Sequence, residues 1–438
     1  MHRPHPRTTY LVYVLGEGFA FRLMGTIFSV FLVLDLDLNP LQLLLMGTAL
    51  EGSYLLFEIP TGVVADTVSR RLSVVIGLAG SGAAYLLLAG SHSFGWALVS
   101  QVMWGIFATF TSGADVAWFT DEVGEDVARP LYLHYDQYWM GGALVGIAAS
   151  VALATVDLRL PIFLSGIAFL VLATFMAVSM TEGGFEPRVR PEGERMHTSL
   201  TATFKEGVHE VRTHHVLLLI LAVAALYGAS TEGFDRLADF HLLRDIGLPS
   251  LGRVNPVIWF GVLDGSSLLL GIAGLAVLKR RAHLEGHAAV AKLLMGIDAL
   301  LILSAVVFAF VGTFWAAAAM FLLVGLLRSV RDPVFTAWIN QGLDPGTRAT
   351  INSMGSQADA VGQTAGGPPL GLIAVRFSTP AALAVSALLS APSLLLYLRA
   401  IRRGSVGTLA PDEIDAHLQL DEEDMETPAI PEGPKVPD

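Results

Sequence analysis

Long apolar stretches recur along most of this chain, each flanked by a short polar segment. A membrane-spanning helix needs roughly 20 mostly apolar residues, and twelve stretches reach that length. They run approximately over 9–34, 41–64, 72–91, 95–119, 131–155, 160–180, 215–240, 254–278, 288–310, 314–338, 350–375 and 380–400. The pattern therefore predicts an all-α membrane protein with twelve transmembrane helices. The first stretch is too long for the apolar region of a cleavable signal peptide, so we expect it to remain as a spanning helix.

Lysine and arginine are divided unequally between the two sets of loops. If the N-terminus lies in the cytoplasm, the outer loops receive only Arg159, Arg244, Arg253 and Arg376, and the other loop bases lie inside. Basic loops stay in the cytoplasm, so we expect a multi-pass protein of the cell (inner) membrane with both termini cytoplasmic.

The same stretches divide the chain into four parts. These are an N-terminal six-helix bundle (1–180), a cytoplasmic linker with an amphipathic or solvated helix (181–214), a C-terminal six-helix bundle (215–400) and a disordered acidic cytoplasmic tail (401–438).

Composition supports a membrane protein and excludes several other classes. Of the 438 residues, 53% are hydrophobic and only 15% are charged, whereas a soluble globular chain carries about 25% charged residues. The chain has no cysteine, so disulfides and metal-thiolate sites are impossible. We find no Walker loop, dinucleotide-binding loop or zinc-protease motif, and therefore expect neither an enzyme nor a cofactor, metal or nucleic-acid partner.

Short motifs in the first half of the chain recur in the second half in the same order. Each is separated from its counterpart by about half the chain. The pairs are Glu17–Leu23 with Glu232–Leu237, Leu50–Ser53 with Leu263–Ser266, Arg70-Arg71 with Arg280-Arg281, and Asp115 with Asp332. Repetition in the same order indicates a duplicated unit. Because each half has an even number of helices, we expect two pseudo-symmetric six-helix bundles related by an axis along the membrane normal.

Ionisable side chains inside the predicted helices are candidates for a functional site, because charge is costly within a bilayer. The candidates for proton or substrate coupling are Glu17, Arg22, Glu51, Glu232, Arg236 and Asp264. A carboxylate buried at mid-depth without a full partner can bind and release a proton near neutral pH, as a proton-coupled transporter requires.

The spacing of these charges indicates which of them pair within one helix. Glu232 and Arg236 are four residues apart and share a face; their pair serves either coupling or static packing. Glu17 and Arg22 are five residues apart, so we expect Arg22 to reach another helix, at Glu51 or Asp115.

Other side chains in the predicted helices are candidates for gating or for lining a cavity. Asp115, Arg331 and Asp332 lie near cytoplasmic helix ends and are expected to have structural or gating roles. Tyr54, Tyr138 and Tyr227 are candidate cavity aromatics, although many membrane tyrosines serve as interface anchors or packing residues. No role follows from the sequence for Asp136 or Asp298.

The loop between the second and third helices carries a family resemblance. It reads Gly62-Val63-Val64-Ala65-Asp66-Thr67-Val68-Ser69-Arg70-Arg71. This resembles the signature loop of the major facilitator superfamily, Gly-x-x-x-Asp-(Arg/Lys)-x-Gly-(Arg/Lys)-(Arg/Lys). Thr67 and Ser69 stand where a base and a glycine are usual. The resemblance covers about 9–400 and implies a gating role for Gly62, Asp66, Arg70 and Arg71; the alternative is a basic loop that only sets topology.

Within that superfamily the chain resembles bacterial drug–proton antiporters of the tetracycline and macrolide efflux type. The segments Phe57–Gly62 and Gly113–Asp115 carry this resemblance. It implies a transporter in the lipid bilayer that exports amphipathic small molecules such as antibiotics in exchange for protons, by alternating access and without an obligate protein partner. The alternatives are a proton symporter that imports a metabolite and a membrane sensor or scaffold that transports nothing.

Overall fold

The structure is a computed structural model that describes residues 4–185, 215–250, 252, 255–281, 286–340 and 345–402. These residues are almost entirely helical, and no β-strand occurs among them. The helices are α1 (Pro6–Gly25), α2 (Phe28–Leu34), α3 (Pro40–Thr67), α4 (Arg70–Ala89), α5 (Phe94–Thr111), α6 (Ala114–Val123), α7 (Glu125–Ala154), α8 (Arg159–Ser179), α9 (His215–Phe240), continued by a π-helical turn (His241–Ile246), α10 (Ile258–Arg281), α11 (His287–Phe310), α12 (Phe314–Ile339), α13 (Pro345–Arg376), α14 (Thr379–Leu389) and α15 (Ala391–Arg402).

The predicted membrane helices are confirmed, with twelve crossings in two six-helix halves. Eleven helical segments in the described part of the chain are long and apolar enough to span a membrane. The twelfth crossing is α13, which has 32 residues and is about 48 Å long at 1.5 Å per residue. Its side chains are more polar than those of the other crossings, because α13 packs against α3 and α9 in the interior.

Several predicted helices are interrupted or extended in the structure. The stretch 95–119 is broken at Gly113, whose φ of 70° ends α5 and starts α6. The stretch 9–34 is likewise divided after Gly25, and 380–400 is divided at Ser390. Periodicity did not reveal these breaks because both parts of each crossing remain apolar. The linker beyond residue 185 and the tail beyond residue 402 lie outside the described residues, so the proposed domain boundaries stay predictions.

The two halves contact each other through matched helix pairs. Successive crossings alternate in direction, so the ends at Pro6, Thr67 and Arg402 share one face of the protein, here called the terminal face; Leu34 and Ala154 end at the opposite, far face. Helix α3 packs against α13, and α7 packs against α10. In the described residues, all hydrogen bonds and ion pairs between the halves lie from the far face to mid-depth.

Glycines allow close approach of the halves on the far side. A Cβ added at Gly371 of α13 would lie 3.0 Å from the Cα of Leu41, and one at Gly261 of α10 would collide with Val151. Towards the terminal face, Gly62 of α3 faces open space and the neighbouring Phe57 is exposed. The interface is therefore closed at the far face and loosens towards the terminal face.

Candidate functional site

The first ion pair between the halves joins α1 to α10. Arg22 donates to both carboxylate oxygens of Asp264, with Nη1–Oδ1 and Nη1–Oδ2 distances of 3.1 and 3.2 Å. The hydroxyl of Thr26, one turn further along the chain, donates to Oδ2 at 2.8 Å. The expectation that Arg22 reaches another helix is confirmed, but the expected partners, Glu51 and Asp115, are wrong. The partner was missed because it belongs to the other half, and its position depends on how the halves dock.

The second ion pair runs in the opposite sense, from α9 to α3. Arg236 lies with Nη2 at 3.8 Å from Oε1 of Glu51, and its Nε donates to Oε1 of Glu232 at 3.3 Å. Glu232 is fully buried, and its Oε2 atom has no hydrogen-bond partner. One guanidinium thus serves two carboxylates, one from each half.

These two ion pairs occupy equivalent positions of the internal repeat. Arg22 corresponds to Arg236, and Asp264 corresponds to Glu51, so each arginine binds the carboxylate of the other half. The glycine after each carboxylate also faces the opposite half: a Cβ at Gly52 would lie 3.6 Å from Thr364, and one at Gly265 would lie 4.0 Å from Ile147. The duplication therefore builds two cross-half contacts of the same kind, one on each side of the pseudo-symmetry axis.

Glu17 has no such partner. Its Oε2 accepts a hydrogen bond from the indole Nε1 of Trp139 at 3.1 Å, and within the described ranges no arginine, lysine or histidine forms an ion pair with it. Backbone approach fixes this geometry, since a Cβ at Gly18 would lie only 2.3 Å from the carbonyl oxygen of Trp139. Glu17 is therefore an interior carboxylate held by a neutral donor.

Glu17 and Glu51 both line a cavity of about 310 Å³ inside the N-terminal half. The rest of its wall is mainly aromatic and apolar. The aromatic residues of the wall are Phe21, Tyr54, Tyr85, Trp104 and Phe169. Of the predicted cavity aromatics, Tyr54 lines this cavity, whereas Tyr138 and Tyr227 do not. Tyr85 and Phe169 were not found from the sequence, because no local motif distinguishes them from packing residues.

The predicted gating residues of the loop after α3 hold the N-terminal half together. Arg70 contacts Asp121 of α6 at 2.5 Å and Asp66 at 4.0 Å. Ser69, which replaces the usual glycine, caps α4 by accepting from the backbone N–H of Leu72 at 2.9 Å. Its hydroxyl and the backbone N–H of Arg71 both donate to Glu182, beyond the end of α8. In this conformation the loop joins α3, α4, α6 and α8 of one half.

The predicted gating pair in α12 divides between two environments. Arg331 is 2% exposed, and its Nε donates to Oδ1 of Asp298 at 2.7 Å. Tyr397 donates to the other oxygen of Asp298 at 3.0 Å, and the ring of Tyr227 lies 3.4 Å from the guanidinium carbon. Asp332 is exposed and only 3.8 Å from Arg331. Asp298, which had no sequence-based role, thus anchors a buried cluster within the C-terminal half.

The remaining candidates and metal ligands add little to this arrangement. Asp115 lies at the start of α6, is hydrogen-bonded to Tyr13 and is close enough to Glu17 for their charges to interact. Asp136 is exposed on α7. In the part of the chain that the structure describes, no group of three or more potential ligands could hold a metal ion.

Two six-helix halves joined at mid-depth by reciprocal ion pairs define a membrane transporter of the twelve-helix type. A family model described as Major Facilitator Superfamily matches residues 11–287, and the chain belongs to this family. It is 23% identical over 386 residues to the uncharacterized MFS-type transporter YxaM of Bacillus subtilis (strain 168), covering 87% of this chain and 92% of that protein.

Solved structures show the same fold at low sequence identity. The nucleoside transporter NupG matches with a TM-score of 0.69 and 12% identity, covering 91% of this chain and 99% of that chain. A bacterial homologue of the human lysosomal transporter Spinster, in an inward-facing and unoccupied conformation, matches with a TM-score of 0.68 and 13% identity, covering 92% and 98%. A peptide transporter POT in complex with sulfate has a TM-score of 0.68 and 15% identity, covering 91% and 94%.

Proposed function

We propose that this transporter exports amphipathic small molecules in exchange for protons by alternating access. The observation that carries the proposal is Glu17, an interior carboxylate in the wall of an aromatic cavity, whose hydrogen-bond donor among the described residues is the Trp139 indole. Without a neighbouring base, this group exchanges a proton more easily than a carboxylate held in an ion pair.

The position of Glu17 in the cavity wall supports exchange rather than symport. A proton and a substrate amine that use the same carboxylate cannot be bound to it together. Each must leave before the other binds, so an inward proton gradient drives the substrate outward. A symporter needs proton and substrate bound at the same time, which favours separate sites.

The reciprocal ion pairs supply the element that changes between the two conformations. Opening the far face requires Arg22 to leave Asp264 and Arg236 to leave Glu51. Protonation of either carboxylate removes its charge and weakens its pair, which couples proton binding to rocking of one half against the other. Both pairs sit at the interface that must separate.

Sidedness is part of the proposal. With the terminal face in the cytoplasm, as the basic loops indicate, the closed far face is external and the conformation is inward-facing. The Spinster homologue described as inward-facing has a similar fold. NupG is described as a nucleoside transporter and POT as a peptide transporter, but at 12% and 15% identity they support only the fold.

Flux in proteoliposomes tests the proposal. The full chain is reconstituted with an imposed pH gradient, and movement of a fluorescent amphipathic amine is followed with and without a protonophore. We expect substrate to move towards the acidic side faster than in protein-free liposomes, which measure passive trapping of the amine, and Glu17→Gln to lower this protein-dependent flux at least tenfold, an effect of about 1.4 kcal/mol or more. Trp96→Leu, a change at a largely exposed tryptophan, is the matched control.

Two outcomes would replace the proposal with another function. Substrate movement down the proton gradient would indicate a symporter that imports its substrate. Absence of flux for every compound tested, in protein that remains folded, would indicate a sensor or scaffold.

A further inference from the structure

The cavity inside the N-terminal half is set apart from the interface between the halves. Its described wall comes from α1, α3, α4, α5 and α8, all in one half. Glu51 reaches both places, because it lines the cavity and also lies 3.8 Å from Arg236 of the other half. Glu51 therefore links the cavity to the interface between the halves.

The charges around this cavity are not balanced. Two carboxylates, Glu17 and Glu51, line the cavity, and no described arginine, lysine or histidine lines it. Glu51 lies 3.8 Å from Arg236, whereas Glu17 forms no ion pair within the described residues. When Glu17 is ionised, its charge has no cationic partner in the described part of the chain. A bound cation would neutralise this charge.

The aromatic wall suits the same kind of ligand. The Tyr85 ring centroid lies 5.3 Å from that of Trp104 and 5.4 Å from that of Phe169, both edge-to-face. Phe21 continues the cluster at 6.2 Å from Trp104. Aromatic faces attract organic cations, with tryptophan the strongest, and they also pack against flat apolar rings.

The hydroxyl group of Tyr85 is a second, independent feature that suits a polar ligand. Tyr85 is among the cavity-lining residues and is 1% exposed, and its buried hydroxyl has no hydrogen-bond partner among the described residues. A buried hydroxyl left without a partner is unfavourable, and buried polar atoms are nearly always satisfied. A ligand that carries an N–H group would satisfy it.

We propose that this cavity binds a protonated aromatic amine of one or two fused rings, with the N–H group directed to Glu17 and the Tyr85 hydroxyl. This inference rests on the proposed function and specifies its substrate class. The cavity volume of about 310 Å³ is at the low end of small-molecule sites, roughly 300–1,000 Å³. A compact bicyclic amine fits that volume, whereas a macrolide does not.

Equilibrium binding to the purified full chain in detergent, without a proton gradient, tests the inference. Isothermal titration calorimetry at pH 7 compares four probes of similar shape: 4-aminoquinoline, which is a cation with N–H groups; N-methylquinolinium, a cation without N–H; 1-naphthylamine, which is neutral; and 1-naphthoate, an anion. We expect 4-aminoquinoline to bind at least about tenfold more tightly than 1-naphthylamine, and 1-naphthoate not to bind.

Variants separate the three parts of the site. We expect Glu17→Gln and Trp104→Leu each to weaken binding of both cations about tenfold, in the range of a charge-assisted contact and a desolvated cation–π contact. Tyr85→Phe should weaken binding of 4-aminoquinoline about threefold to tenfold and leave N-methylquinolinium unchanged. Trp96→Leu, on the same helix as Trp104 but outside the cavity, should bind as the unaltered protein does.

Binding and transport fail independently. If 1-naphthylamine or 1-naphthoate binds as tightly as 4-aminoquinoline, or if no probe binds while another compound is exchanged for protons, the cavity assignment is overturned and the proposed function stands. If the cations bind with the expected variant effects but nothing is exchanged for protons, the proposed function is overturned and the cavity assignment stands.

Discussion

The equivalent glutamates of the two halves have opposite surroundings. Glu232 is fully buried and is held by Arg236, four residues later on the same face of α9. Glu17 begins the same motif in α1, but one additional residue separates it from Arg22. At 3.6 residues per turn, five positions place two side chains about 140° apart. Arg22 therefore turns away to Asp264, and Glu17 keeps only the Trp139 indole.

The interiors of the two halves differ in the same way. In the C-terminal half, Arg331 binds the buried Asp298 and Arg328 binds the more exposed Asp235, so two interior arginines are paired within that half. In the N-terminal half, aromatic rings surround a cavity with two carboxylates. The two halves of the repeat thus differ in one additional residue between the acid and the arginine of the first-helix motif, and in the aromatic cavity of the N-terminal half.

The largest effect should come from breaking the buried cluster of the C-terminal half. Arg331→Ala leaves Asp298 as a buried charge that only Tyr397 can satisfy, and removing one partner of a buried pair costs about 3–5 kcal/mol. We expect a clearly lower unfolding temperature for the purified protein in detergent. Replacing both partners, as Arg331→Met with Asp298→Leu, should recover most of the stability. An unchanged unfolding temperature for Arg331→Ala would show that the cluster does not stabilise this half.

The next largest effect should come from giving Glu17 an arginine on its own helix, as Glu232 has in Arg236. Phe21→Arg places a guanidinium four residues after Glu17, as Arg236 follows Glu232, and such a pair shares a helix face. We expect gradient-driven flux in proteoliposomes to fall about tenfold or more, because a carboxylate held in an ion pair is protonated less readily than one without a cationic partner. Phe21→Gln, which removes the ring without adding charge, is the control. Retained flux in Phe21→Arg, with loss in Phe21→Gln, would contradict the comparison.

The fold followed from sequence more fully than the site did. Apolar periodicity and the repeat predicted twelve helices in two halves, because each signal lies within a few consecutive residues. They also singled out Glu17, Glu51, Arg236 and Asp264. The partner of Arg22 could not be predicted, since that contact depends on docking of the halves across 242 positions of sequence.

The role of Asp298 shows a second limit of sequence reasoning. Its partner Arg331 comes from another helix and Tyr397 from a third, and no spacing along the chain relates these positions. The unpartnered hydroxyl of Tyr85 was equally inaccessible, because an absent hydrogen bond leaves no pattern in a sequence.

A smaller effect should follow from weakening one reciprocal ion pair. The chain has no native cysteine, so Ile147→Cys with Gly265→Cys reports closure of the halves through disulfide formation. Asp264→Ala removes the partner of Arg22, and a partly exposed pair contributes about 0.2–1 kcal/mol. We expect Asp264→Ala to slow cross-linking by up to about fivefold. Cross-linking of Gly16→Cys with Leu172→Cys, which joins α1 to α8 within one half, should not change. If Asp264→Ala left the Ile147–Gly265 cross-linking rate unchanged as well, the ion pair would not contribute to closure.

The smallest effect concerns the arginine pairs that follow the second helix of each half. Arg70 is partly buried against Asp121, whereas its repeat counterpart Arg280 is exposed at the end of α10. Arg70→Gln should therefore lower the free energy of unfolding by less than about 1 kcal/mol, as expected for a pair near the surface, and Arg280→Gln should not change it. Thermal unfolding of the two variants side by side measures the difference. An equal loss in both would mean that these bases act through their charge at the membrane surface rather than through contacts within their half.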